Sequence, residues 1–138
     1  MEINIIETIL HLSDICYSLN EDTLKEENLS RPESFILLSI KPGEKLTSNE
    51  LAERNRLSPS RVSRIVDHMI GKELLVRTEV QDDRRFINLS LSKEGAKKHK
   101  SLMKLKNQCE KNIKSQLQDD QLNTVKNGLL FLTKAMEK

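Results

Sequence analysis

Aromatic side chains are scarce in this sequence. Tyr17, Phe35, Phe86 and Phe131 are the only four, 3% of 138 residues, and tryptophan is absent. The core must therefore be aliphatic, and platforms on which unpaired bases could stack are too few for a reader of single-stranded nucleic acid. Long apolar runs are missing too, and none approaches the roughly 20 residues that a membrane-spanning helix needs. The opening Met1-Glu2-Ile3-Asn4-Ile5-Ile6-Glu7 has neither a cationic stretch before an apolar core nor a small-residue cleavage site. The expectation is a soluble, cytoplasmic chain with no membrane partner. Cysteine is limited to Cys16 and Cys109, far apart, which in a reducing compartment read as free thiols. No glycine-rich phosphate loop occurs, and the Ser, His and Asp residues have no supporting catalytic motif. His11, His68 and His99 lack metal-ligand spacing. The sequence thus predicts no enzyme, no cofactor and no metal.

What remains is a chain of one-domain length with 32% charged residues and 36% hydrophobic ones, the balance of a helix-rich protein with much solvated surface. The net charge of +2 makes no case for any partner, so the distribution of charge has to. Residues 2–19 place Ile5, Ile9, Leu12, Cys16 and Leu19 at alternating steps of four and three, a heptad-like stripe. Ile6, Leu10 and Ile15 add a second apolar edge, so this helix needs more than one neighbour. Within that stripe Cys16 reads as a packed core residue rather than a reactive thiol, which would need an electropositive, partly exposed setting. Asn20–Ser30 is polar and acidic and reads as a loop or a frayed turn. Ser30-Arg31-Pro32-Glu33 opens a second helix that carries Phe35, Ile36, Leu37, Leu38 and Ile40 and ends at Pro42-Gly43.

The middle of the chain has a different grammar. Thr47-Ser48-Asn49-Glu50 is a capping box for a short helix, with Leu51 and Ala52 on its apolar face. Ser58-Pro59 opens the next helix, whose Val62, Ile65, Val66, Met69 and Ile70 form a buried stripe closed by Gly71. Two strands follow, Leu74–Glu79 and Phe86–Leu91, joined by the polar turn Gln81-Asp82-Asp83-Arg84. Ser92 caps a long lysine-rich helix, and Asp119 or Asp120 caps a last one carrying Leu122, Val125, Leu129, Leu132 and Met136, widened by Leu130 and Phe131.

A short helix, a tight turn and a second helix form a helix-turn-helix, in which the second helix presents its first residues to base edges in the major groove. Those residues here are Ser58, Pro59, Ser60, Arg61, Ser63 and Arg64. Arg offers a bidentate fork to guanine, small Ser neighbours allow close approach, and the helix N-terminus points backbone N–H groups at anions. Arg54 and Arg56 add cationic charge beside them. The hairpin tip Asp82-Asp83-Arg84-Arg85 can carry Arg into a minor groove, with the carboxylates orienting the guanidinium groups.

The run Leu46–Asp67, together with Leu74-Leu75-Val76-Arg77, Asp83-Arg84-Arg85 and Leu89-Ser90-Leu91-Ser92-Lys93-Glu94-Gly95, resembles the helix-turn-helix and wing of the multiple antibiotic resistance regulator (MarR) family. Asn55-Arg56 stands where that family has a small residue or Gly, and no Pro precedes the wing acids. The resemblance implies a mainly α (α+β) fold: a winged helix-turn-helix with N- and C-terminal dimerisation helices. It implies a DNA-binding lobe over 30–95 and dimerisation helices over 1–20 and 96–138 of a single 1–138 domain. It implies a bacterial repressor or activator that binds double-stranded DNA as a homodimer on a palindromic operator and is released by a small anionic or phenolic ligand. Carried over by position, the DNA contacts would be Thr47, Ser48, Arg56, Ser58, Ser60, Arg61, Ser63, Arg64, Asp83, Arg84 and Arg85. Two other readings remain: a winged-helix module that binds protein without reading DNA, and a thiol-based redox sensor acting through Cys16.

Overall fold

A computed structural model describes residues 2–80 and 83–137, with backbone only at 80 and 83–86. Its elements run α1 (Ile5–Glu26), α2 (Arg31–Leu38), α3 (Ser48–Asn55), α4 (Pro59–Gly71), β1 (Leu75–Val80), β2 (Asp83–Leu91), α5 (Lys93–Gln116) and α6 (Asp119–Met136). Contacts divide the chain into two compact units, Met1–Met103 and Lys104–Lys138. The larger unit is the mainly helical, winged arrangement expected from the pattern of elements.

Side-chain caps mark most helix starts, because the first N–H groups of a helix have no partner inside it. Asn4 accepts from the Glu7 N–H and opens α1. Ser30 and Glu33 form the reciprocal box that starts α2. Thr47 accepts from the Glu50 N–H, but the return arm differs from the sequence expectation: Glu50 takes the Thr47 hydroxyl, not the Thr47 N–H. Ser58 accepts from the Arg61 N–H, and Ser92 from that of Gly95.

Several expectations about boundaries need correction. The second strand starts at Asp83 rather than Phe86, so Asp83 and Arg84, expected in the turn, lie in β2. Asn20–Glu26 is not loop but the last turns of α1, held by buried Leu24. The second helix ends at Leu38, ahead of Pro42-Gly43. Gly71 does not adopt the left-handed conformation after α4; Glu73 does, at φ 61°. Gln118, not Asp119 or Asp120, caps α6.

The core of the larger unit is aliphatic, as the shortage of aromatics requires. Ile36, Leu37, Ile40, Leu51, Val62, Met69, Leu74 and Leu89 are its largest fully buried side chains. The hairpin is antiparallel, with Leu75 opposite Leu91 and Arg77 opposite Leu89, and an irregularity follows Glu79. A further bridge joins Leu46 to Leu89 with hydrogen bonds in both directions, so the segment entering α3 is fixed to β2. Near the start of α5, His99 is buried and its Nδ1 donates to the Leu37 carbonyl at 2.7 Å, which also takes a long bond of 3.4 Å from the Ile40 N–H at the end of α2.

Polar contacts close the corner between α1 and α2. Lys72, the C-cap of α4, donates to the Asn28 carbonyl and pairs with Glu33, while Lys98 donates to the Glu27 carbonyl and its carboxylate. Cations at a helix C-terminus are favourable, since the last carbonyls carry partial negative charge. Burial pushes the Glu33 carboxyl up. The Ser30 hydrogen bonds and the Lys72 ammonium outweigh burial and hold it below the ordinary carboxylate range.

Most of the apolar stripe of α1 is exposed among the described residues. Ile5, Ile6, Leu10, Leu12, Ile15 and Leu19 are exposed, and so is Cys16, contrary to its reading as a core residue. The periodicity identified an apolar face correctly; it does not specify that the same chain covers it. In the smaller unit, α6 has no buried residue, and Val125, Leu129, Leu130, Phe131 and Met136 are exposed. Among the described residues no helix is long and apolar enough to cross a membrane.

Candidate nucleic-acid interface

The helix-turn-helix is built by α3, α4 and the three residues between them, Arg56, Leu57 and the cap Ser58. That turn needs a left-handed residue, and Arg56 supplies it at φ 54°, ψ 41°. A Cβ-bearing residue in this region costs about 1–2 kcal/mol, so its neighbours must hold it there. The Arg56 N–H donates to Ala52 and Glu53 carbonyls, and the Leu57 N–H to Ala52. Asn55 fastens the same turn from its side chain, donating to the Ser39 hydroxyl at 3.0 Å and the Leu51 carbonyl at 2.9 Å.

Helix α4 buries Val62, Val66 and Met69 against the core. With about 100° between successive residues, Ser60, Ser63, Arg64 and Asp67 then fall on one stripe on the opposite side. All four are exposed. Arg61 is exposed as well but sits off that stripe: it lines a cavity shared with α2. Among the described residues, neither Arg61 nor Arg64 has a carboxylate within ion-pair distance. Thr47 and Ser48 are half-buried at the start of α3, and Ser58 is exposed. The structure therefore brings Ser58, Ser60, Ser63 and Arg64 onto one face around the α4 N-terminus, with Arg61 and Arg56 beside it.

The hairpin is tied to this face. Arg77 of β1 reaches Asp67 of α4 at 2.7 Å, joining the wing's root to the exposed stripe. Asp83, Arg84 and Arg85 lie in β2, but their side chains fall outside the described residues, as does the turn at Gln81 and Asp82.

Arg54, expected to add free cationic charge, is instead committed. Its Nη1 donates to the Ser39 carbonyl at 2.8 Å and to Glu44 Oε1 at 2.7 Å, and its Nη2 to Glu44 Oε2 at 2.9 Å. These bonds, with the Lys41 N–H, hold the Glu44 carboxyl down to about 2 and raise the Arg54 guanidinium above its usual value. The pair locks the α2–α3 loop to the end of α3. No local signal in the sequence marks it, since the partners are ten residues apart in separate elements; the same holds for Asp67 with Arg77 and Glu33 with Lys72.

Between α2 and the α3–α4 turn lies an open cavity of about 600 Å³. Pro32, Phe35, Leu38 and Leu57 give it an apolar floor, and Arg31, Arg54, Arg56 and Arg61 surround it with positive charge. Arg31 is stacked against Tyr17 and Phe35, at 5.2 and 5.8 Å from the ring centroids, and donates to the Ser13 hydroxyl at 2.7 Å. Neither the cavity nor this stack was foreseen from the sequence, because its members come from four separate segments.

A family model described as the MarR family matches residues 27–85. The HTH-type transcriptional repressor MdtR of Bacillus subtilis is 35% identical over 74 residues, 54% of this chain and 48% of that protein. The chain thus matches that curated relative over about half its length. Among solved structures, MepR of S. aureus in complex with DNA superposes with a TM-score of 0.86 at 18% identity, over 98% of this chain and 100% of that one. FabT of Streptococcus pneumoniae in complex with DNA gives 0.85 at 17% identity, over 96% and 94%. NadR in complex with 4-hydroxyphenylacetate gives 0.77 at 18%, over 99% and 96%. At these identities the three share the fold.

Proposed function

We propose, from the match of residues 27–85 to the MarR family model, that the chain is a bacterial transcriptional repressor of that family, not an enzyme, that binds duplex DNA as a homodimer. The observation that carries this reading is the exposed stripe Ser60, Ser63 and Arg64 at the N-terminal end of α4, flanked by Arg61 and opposite a complete buried face. A helix of this kind enters the major groove with its first residues at the base edges. Arg64 and Arg61 read guanine there, Ser58, Ser60 and Ser63 contact bases and phosphates, and Thr47, Ser48 and Arg56 bind phosphates. Asp83, Arg84 and Arg85 form the wing tip, with Arg84 and Arg85 at the minor groove.

Homodimerisation has its own support. The apolar faces of α1 and of α6 are each too extensive to be left in water. A second copy of the chain covers them, which also buries the Cys16 stripe. Two-fold symmetry then matches a palindromic operator with half-sites about one helical turn, roughly 34–36 Å, apart. The arginine-rimmed cavity beside Arg61 supports release by a small anionic effector with an apolar body.

Selection from a random duplex library tests the reading. The expected product is a palindrome with half-sites about 10 base pairs apart. Arg64→Ala and Arg61→Ala together should weaken binding and flatten base preference, whereas Arg84→Ala with Arg85→Ala should weaken all sequences alike and make the salt dependence shallower. A library that yields no enriched duplex at low salt would refute the assignment and favour the protein-binding module.

A further inference from the structure

We propose that Arg54 is the group through which an effector in the arginine-rimmed cavity reaches the DNA-reading helix. A carboxylate bound in the cavity takes the Arg54 guanidinium from Glu44, and the exchange loosens the α3–α4 turn. The inference rests on the effector reading given above and deepens it.

The geometry supplies a two-position device. The Arg54 guanidinium spends its two terminal nitrogens on Glu44 and on the Ser39 carbonyl, at 2.7–2.9 Å. Yet Arg54 also lines the cavity, beside Arg61 and Arg56 and above the apolar floor of Phe35, Leu38 and Leu57. A second carboxylate bound there competes with Glu44 for the end-on fork of the guanidinium, with the Nε–H and remaining Nη2–H edge, which the Glu44 and Ser39 bonds do not use, as its point of entry. The pair is open to competition from solvent: the Arg54 side chain is 40% exposed and that of Glu44 25%. Solvent-exposed ion pairs are weak and readily re-formed with another partner.

The consequence falls on the turn. Ser39 accepts from Arg54 through its carbonyl and from Asn55 through its hydroxyl. Asn55 is followed by Arg56, whose left-handed conformation has to be imposed by its surroundings. Glu44 in turn holds the Lys41 N–H, so its release frees the loop between the buried anchors Ile40 and Leu46. Leu46 directly precedes Thr47, the cap of α3. Both ends of α3 thus feel the exchange, and α4 hangs from the nearer one.

The probe is 2-naphthoate, an aromatic monocarboxylate with no other functional group, and 2-naphthylmethanol is its uncharged control. In the free protein Arg54 and the Lys41 N–H hold the Glu44 carboxyl down to about 2, and an NMR titration should find it there. Saturation with 2-naphthoate should return it to the ordinary carboxylate range, and the alcohol should leave it where it was. On the selected operator, 2-naphthoate should lower wild-type affinity about tenfold. Glu44→Gln should bind the operator several-fold more weakly on its own, bind 2-naphthoate more tightly, and lose less than twofold further on adding it. Phe35→Ala removes the floor and leaves the ion pair, so it should lose 2-naphthoate binding and keep its operator affinity. A Glu44 titration unmoved by saturating 2-naphthoate, or a Glu44→Gln protein that responds by the same factor as wild type, overturns the proposal. Operator binding without any 2-naphthoate binding removes the effector reading and this inference with it. A Glu44 shift without operator binding leaves the exchange standing and removes the regulatory reading alone.

Discussion

Replacing Gly95 by alanine should cost about 1–3 kcal/mol, although alanine is the better helix former by roughly 1 kcal/mol. Gly95 lies in the first turn of α5, and an added Cβ would stand 2.0 Å from the Leu74 carbonyl oxygen and 3.1 Å from its carbon. An ordinary contact needs about 3.5 Å, so the two segments would have to separate by more than about 1 Å. Neither side yields easily. Leu74 is in the core, and its carbonyl accepts the Ser92 N–H. Ser92 caps α5 through the Gly95 N–H and donates its own hydroxyl to the Glu73 carbonyl. Overpacking of about 1–3 kcal/mol plus a weakened cap of about 1 kcal/mol therefore exceed the propensity gain. At this chain length each kcal/mol moves the melting temperature by about 4 °C, so a fall of about 4–12 °C is expected. Thermal unfolding followed by circular dichroism at fixed protein concentration checks it, with urea unfolding showing a lower midpoint at unchanged slope. Gly71→Ala is the control: nothing stands within 4 Å of the added Cβ, and the change should stabilise by about 0.4–1 kcal/mol. A Gly95→Ala protein within about 0.5 kcal/mol of wild type would refute the reasoning, since surface substitutions fall in that range.

Other consequences follow from the ion pairs and apolar faces. Lys72→Met leaves the buried Glu33 carboxylate without its cation and should destabilise by about 2–4 kcal/mol, with Glu33→Gln in the same chain recovering part of the loss in chemical denaturation. The Glu33 carboxyl is depressed when folded, so its contribution is present above its unfolded value and fades as pH falls through the folded one. Acid titration of Lys72→Met should therefore show a smaller loss of stability in that window than wild type. The Glu44–Arg54 pair should behave alike, intact above the ordinary carboxylate range and released as pH drops towards about 2; amide shifts of 40–46 should report that release without global unfolding. Leu12→Glu combined with Leu129→Glu puts charge on both apolar faces; under the proposed dimer, the wild-type chain should sediment as a dimer and the double variant as a monomer at the same concentration.

Much of the candidate interface could be read from residue order because it depends on neighbours within four positions. Ser30 with Glu33, Thr47 with Glu50, and Ser58 with Arg61 are local caps, and the buried stripe of α4 is a local periodicity. The glycine in the Ser92-Lys93-Glu94-Gly95 motif was visible too, though its reason, the Leu74 carbonyl, is twenty-one residues away. The same local logic misjudged Asn20–Glu26. A polar stretch can extend a helix when one residue, here Leu24, anchors it and the rest face water.

By itself, then, the sequence determined the identity and order of the elements, the faces that must be apolar, and the residues Ser58–Arg64 that begin α4. Tertiary structure alone decided what those faces meet and which charges are available. It tied Arg54 to Glu44 and Asp67 to Arg77, turned Arg61 toward a cavity, and left Cys16 in solvent. The reason is range. Backbone hydrogen bonding and helical periodicity act within one or two turns and are written in consecutive residues. Ion pairs and cavities depend on where separate segments come to lie, and that is settled only once the shared aliphatic core has packed.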